Sequence, residues 1–109
     1  MTTRRMSVGA AGETLAARFL TRRGARVIDR NVHVGRDEID LIVEIGGETV
    51  AVEVKTGLGS GTRPWESFDE GKNERLRRAV RARAIRRVDL IAVEFTAENV
   101  VIRWLPGIG

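Results

Sequence analysis

The stretch Glu38–Thr56, EIDLIVEIGGETVAVEVKT, decides the fold. Two runs rich in β-branched residues, Glu38–Ile45 and Glu48–Thr56, flank Gly46-Gly47. Such runs joined by two glycines predict a β-hairpin. A two-residue turn sets Ile45 opposite Glu48, so Leu41 meets Val52 and Val43 meets Val50, giving one apolar face. On the other face Asp40 falls opposite Glu53 and Glu38 opposite Lys55, and alternation along each strand gathers these four into one cluster.

Upstream, Gly9–Arg23 places Ala11, Leu15, Ala16, Phe19 and Leu20 at three- and four-residue spacing. This predicts an amphipathic helix, capped by Ser7 and stopped at Gly24. Ala25–Arg30 reads as a short strand closing on a polar turn at Asn31. Downstream, Gly57–Pro64 reads as a loop and Lys72–Arg87 as a basic helix with Leu76, Ala79, Val80 and Ala84 facing inward. Val88–Phe95 and Val100–Leu105 read as two further strands. The order α-β-β-β-α-β-β implies an α/β fold with a mixed central sheet of about five strands flanked by helices. Residues 1–109 are expected to form a single domain, since 109 residues are too few for two ordinary cores.

The composition, 42% apolar and 31% charged, is that of a globular chain. With no cysteine and one histidine, His33, disulfides, thiolate chemistry and multi-histidine metal sites are excluded. Charge interrupts every apolar run well short of the ~18 residues a membrane span needs. The first residues do not read as a secretory signal, so no membrane partner and a cytoplasmic location are the expectations. Of 19 basic residues only Lys55 and Lys72 are lysine, and the net charge is +4. Glu70–Arg87 carries eight basic residues against two acidic ones, which is +6, leaving −2 for the rest. Such a helix is either a solvated face or a surface that tracks phosphates by releasing counterions.

The hairpin's acids demand an explanation. Two carboxylates ~5 Å apart repel by about 3 kcal/mol at an effective dielectric of ~20, a sizeable part of a typical stability of about 5–15 kcal/mol. A hard divalent cation between them reverses the sign, and oxygen donors without a soft ligand suit Mg²⁺ rather than zinc. Lys55 alongside can position a nucleophile or stabilise charge developing on a phosphorane. The alternative is a solvent-facing lattice of Glu53–Lys55 and Asp40–Lys55 salt bridges, contributing about 0–1 kcal/mol per exposed pair.

Asp40 followed at a distance by Glu53-Val54-Lys55 resembles the PD-(D/E)xK signature of restriction-endonuclease-like nucleases. More narrowly, the chain resembles the YraN family of small bacterial proteins, which are similar to archaeal Holliday junction resolvases. Gly12-Glu13 with Ala16, Gly24, Arg30-Asn31, Glu38-Ile39-Asp40-Leu41-Ile42, Val52-Glu53-Val54-Lys55, Lys72 with Leu76 and Ala79, and Val88-Asp89 carry that resemblance. It implies a restriction-endonuclease-like domain in which Asp40, Glu53 and the Val54 carbonyl hold Mg²⁺ or Mn²⁺. Lys55 would be the catalytic lysine and Glu13 would reach the metal from the first helix. Glu38 would be accessory, and Lys72, Arg75 and Arg78 would meet the substrate. The implied activity is metal-dependent endonucleolytic hydrolysis of DNA, selective for branched structures. A homodimer is expected if a four-way junction is the substrate. A non-catalytic nucleic-acid-binding module and a homodimeric interaction protein are the alternatives. Asp37 stands where the family usually has glycine, and the arginine often found after the ExK lysine is absent.

Overall fold

The computed structural model describes residues 7–59 and 70–108, without the side chains of residues 70–73 and 75. Helix α1 spans Val8–Arg22 and is followed by strands β1 (Arg26–Val34), β2 (Asp37–Ile45) and β3 (Glu48–Leu58). Helix α2 (Glu70–Ala82), β4 (Arg87–Phe95) and β5 (Val100–Leu105) complete the predicted order α-β-β-β-α-β-β. The five strands form one sheet in sequence order. Only β3 and β4 run parallel, with α2 as their crossover; the other neighbours are antiparallel.

The hairpin forms in the expected register, with Ile45↔Glu48, Val43↔Val50 and Leu41↔Val52. Gly46 and Gly47 have φ of 57° and 82°, values a type I′ turn requires at both central positions. The sheet is covered on both sides. Under α1, Ala16 and Leu20 pack on Leu41, Val43, Val50, Val52, Val54, Ile91 and Val93. Under α2, Leu76, Ala79 and Val80 pack on Ile39, Ile42, Ala51 and Val88. Ser7 caps α1, its hydroxyl accepting from the Ala10 amide at 3.1 Å.

Three boundaries differ from expectation. Strand β1 runs through Asn31, which takes φ 50° within the strand, and the turn falls at Gly35-Arg36 instead. Asparagine tolerates that left-handed conformation better than most residues, so its polar signature does not mark a turn here. Helix α2 stops at Ala82 rather than Arg87 because Ala84 adopts φ 56° and lies exposed, while Ile85 takes the buried place expected of Ala84. Strand β3 continues to Leu58, so much of the described start of the Gly57–Pro64 loop is strand; its remainder lies outside the described residues.

The C-terminal segment folds back on β4 and β5. Asp89, fully buried, accepts from Arg87 Nε and Nη2, Trp104 Nε1 and the Gly107 amide, each at 2.9 Å. Four N–H donors, two of them from one bidentate guanidinium, offset the cost of removing this carboxylate from water. The Ile108 amide donates to the Val88 carbonyl at 2.9 Å. Among the described residues, no helix is long and apolar enough to cross a membrane.

Candidate functional site

The pairs between β2 and β3 end at Leu41↔Val52, yet both strands run on. Beyond that rung β2 stays with β1 as far as Val34↔Asp37, and β3 stays with β4 as far as Leu58↔Phe95. The sheet therefore opens into a fork, and the acids sit where it opens.

Asn31 shapes the fork. Leu41 and Val43 belong to the core under α1, whereas Ile39 and Ile42 belong to the core under α2. Strict alternation would put Ile39 with Leu41. The reversal falls at Asp40, between the rungs Arg30↔Leu41 and Val32↔Ile39, where the facing strand carries Asn31 in its left-handed conformation. Asp40 consequently points across the gap instead of to one side. Its Oδ2 accepts the Val54 amide at 2.8 Å and so takes the place of a ladder carbonyl.

Around Asp40 the structure gathers acids from three elements. One carboxylate oxygen each of Glu13 on α1, Glu38 on β2 and Asp40 lie within 4.8 Å of one another. The Asn31 amide faces two carboxylates, so its nitrogen is assigned to that side, where it donates to Glu13 Oε2 at 3.1 Å and Glu38 Oε1 at 2.9 Å. On β3, Glu53 is within hydrogen-bonding reach of Asp40, and Lys55 Nζ lies 3.2 Å from Glu53 Oε1. Those two side chains are only 16% and 17% exposed, so their pairing is not the solvent-facing lattice considered above.

Gly12 brings the helix this close. A Cβ there would overlap Thr56 Oγ1 and stand 3.3 Å from Thr56 Cβ and Cγ2. Without one, α1 lies against β3 and its next residue, Glu13, reaches the fork.

The protonation of the acids follows from this crowding. Burial, followed by the Asp40 charge, pushes the Glu53 carboxyl up to about 7, with Lys55 opposing. Asp40 is also raised, chiefly by burial, although the Val54 amide pulls it down. Glu13 is raised by burial and then by Asp40 and Glu38. These are carboxylates held together at electrostatic cost.

The residues anticipated at the site thus divide. Asp40, Glu53, Lys55 and Glu13 come together, with Glu38 beside Glu13 and Asp40. The ladder does not hold Glu38 opposite Lys55, because β2 and β3 have separated there. Val54 contributes its amide to Asp40. Arg78 Nε lies 3.8 Å from Asp37 Oδ2, so the acid replacing the usual glycine is this arginine's partner. Lys72 and Arg75 belong to α2, but their side chains lie outside the described residues. Asn31 is the site residue that sequence reasoning misses, because a polar residue between Arg30 and Val32 reads only as a turn.

Carboxylate oxygens of this kind are hard donors that could hold a divalent cation such as Mg²⁺ or Mn²⁺. Fold and fork together define an α/β protein with a forked mixed sheet and an acidic cluster beside a lysine. The model of the uncharacterised protein family UPF0102, the YraN family, matches residues 12–93, and the chain belongs to that family. It is 43% identical to a UPF0102 protein of Rhodococcus opacus over 96 residues, covering 86% of this chain and 70% of that protein. A Corynebacterium efficiens UPF0102 protein is 46% identical over 80 residues, covering 72% and 66%. One from Symbiobacterium thermophilum is 52% identical over 73 residues, covering 65% and 61%. The matches thus span about two thirds of these relatives' length.

Proposed function

We propose that this chain is a metal-dependent endonuclease that hydrolyses phosphodiester bonds in DNA and selects branched structures. One observation carries the reading: Asp40 stands in the mouth of the β2–β3 fork, in reach of Glu13, Glu38 and Glu53, with Lys55 against Glu53. Acids crowded in this way are costly unless a cation or a proton compensates them. A divalent cation bound there would supply Lewis acidity to the scissile phosphate and lower the pKa of an attacking water.

The chain's own residues set up that chemistry. The Val54 amide holds Asp40, and Asn31 bridges Glu13 and Glu38, so three hard donors are directed toward one point. Lys55 keeps an ammonium beside Glu53, where it offsets negative charge developing on a phosphoryl group. Arginines exposed on both helices suit a polyanionic partner.

The test is incubation of labelled four-way junction, flap, duplex and single-stranded DNA with Mg²⁺ or Mn²⁺. Cleavage of a branched substrate is expected, with losses of at least about 100-fold in Asp40→Asn and Lys55→Ala, the scale of removing one transition-state stabiliser. Cleavage that survives either substitution, or DNA binding without cleavage of any substrate, overturns the reading; the latter leaves a binding module.

A further inference from the structure

A second charged surface lies beside the acidic fork and away from the basic helix α2. Thr14, Arg18 and Arg22 form one stripe along α1, at successive spacings of four residues, and with Arg30 of β1 they line a groove of about 430 Å³. Arg30 Nη2 donates to Thr14 Oγ1 at 3.2 Å, closing the groove at its fork end. That end adjoins the acids directly, because Thr14 follows Glu13 and Arg30 precedes Asn31.

Two observations favour an anionic occupant for this groove. First, Arg18 and Arg22 are exposed, and among the described residues neither is paired with a carboxylate. Like charges four apart on a helix repel each other, which offsets much of what Arg22 gains from its place in the last turn of α1, so the fold gains little from the pair. Second, the stripe is long enough to lie along a nucleic-acid backbone. At ~1.5 Å rise per residue, Thr14 to Arg22 covers about 12 Å, the axial length of three to four phosphates at ~3.4 Å each.

From these we infer that the α1–β1 groove carries the DNA backbone flanking the scissile phosphate, with Arg18, Arg22 and Arg30 as its phosphate contacts. The inference rests on the nuclease reading for its ligand, and it assigns the principal backbone track to α1 rather than α2. The acidic fork would repel a polyanion, so a cationic groove at its edge supplies the attraction that brings DNA there.

The experiment is binding of a fluorescent four-way junction in EDTA, followed by anisotropy from low to moderate salt. It uses the full chain, the Arg18→Ala/Arg22→Ala double variant, and an Arg81→Ala/Arg86→Ala variant with the same change in net charge. Removing two phosphate contacts is expected to lower the slope of log affinity against log salt by about 2. It is also expected to weaken binding roughly tenfold at low salt, while the matched control loses far less. The melting temperature of the groove variant should fall by no more than a few degrees, the scale of one lost helix-terminus charge, so lost binding stays distinct from lost fold. An equal loss in both variants, or none in the groove variant, overturns the inference. If the unaltered chain binds through the groove but cleaves nothing with Mg²⁺ or Mn²⁺, the nuclease reading fails and the groove stands. Cleavage that depends on Asp40 while the groove variant binds normally gives the converse. Absence of DNA binding by the unaltered chain removes both.

Discussion

Asn31 shows how a single backbone conformation can organise a site. Its left-handed φ lets β1 turn over opposite Asp40, and its side-chain amide bridges Glu13 and Glu38. The two roles separate by substitution. Asn31→Gly keeps the backbone permissive but deletes the amide, so Mn²⁺ affinity should fall about 10–100-fold, as for other groups that orient metal ligands. Asn31→Ala should lose the same affinity and in addition about 1 kcal/mol of stability, because alanine has neither glycine's freedom nor the short polar side chain that lets asparagine hold the left-handed conformation. Titration calorimetry with Mn²⁺ and urea unfolding distinguish them; equal stability of the two variants would refute the backbone role.

Between elements, the decisive contact is α1 on β3. Gly12 permits it, and the helix then delivers Glu13 to one end of its contact face and Ala16 and Leu20 to the core. Gly12→Ala forces a methyl into Thr56, so it should destabilise by about 1–3 kcal/mol, the range for overpacking a tight contact. It should also weaken metal binding by displacing Glu13. Thr56→Ala added to it relieves much of the overlap, and a double-mutant cycle should return a coupling of about 0.5–3 kcal/mol. Strict additivity would mean that helix and strand do not meet as described. The termination of α2 belongs to the same scale: the basic periodicity runs on to Arg87, but the buried place that closes the helix is filled by Ile85 through the left-handed Ala84.

Across the whole molecule, the crowded acids couple folding to pH. The Glu53 carboxyl is pushed up to about 7 in the folded chain from an ordinary 4.5, and it titrates together with its neighbour Asp40. A raised folded value means that the protonated form is the stabilised one. Its contribution is complete below about pH 4.5 and is lost as pH rises through about 7, an amount of up to about 3 kcal/mol. Glu13 and Asp40 shift in the same direction and add to it. Urea midpoints of the chain in EDTA should therefore fall from pH 5 to pH 8, whereas saturating Mn²⁺ should flatten or invert that trend because the cation takes the deprotonated form. A midpoint in EDTA that does not change over this interval would contradict the crowding. Much of this molecule was legible in its residues: the hairpin register and the shared face of Glu53 and Lys55 follow from period-two alternation about Gly46-Gly47, and the element order from local periodicity, whereas Asp40 meets those two only across the fork. What the chain alone did not disclose was the parting of β2 from β3 after Leu41↔Val52, the reversal at Asn31 and Asp40, and the approach of Glu13 through Gly12. Those depend on which strands outcompete each other for backbone partners and on how closely a helix can lie on a sheet, and such competition is resolved only when the distant parts of the chain are packed together.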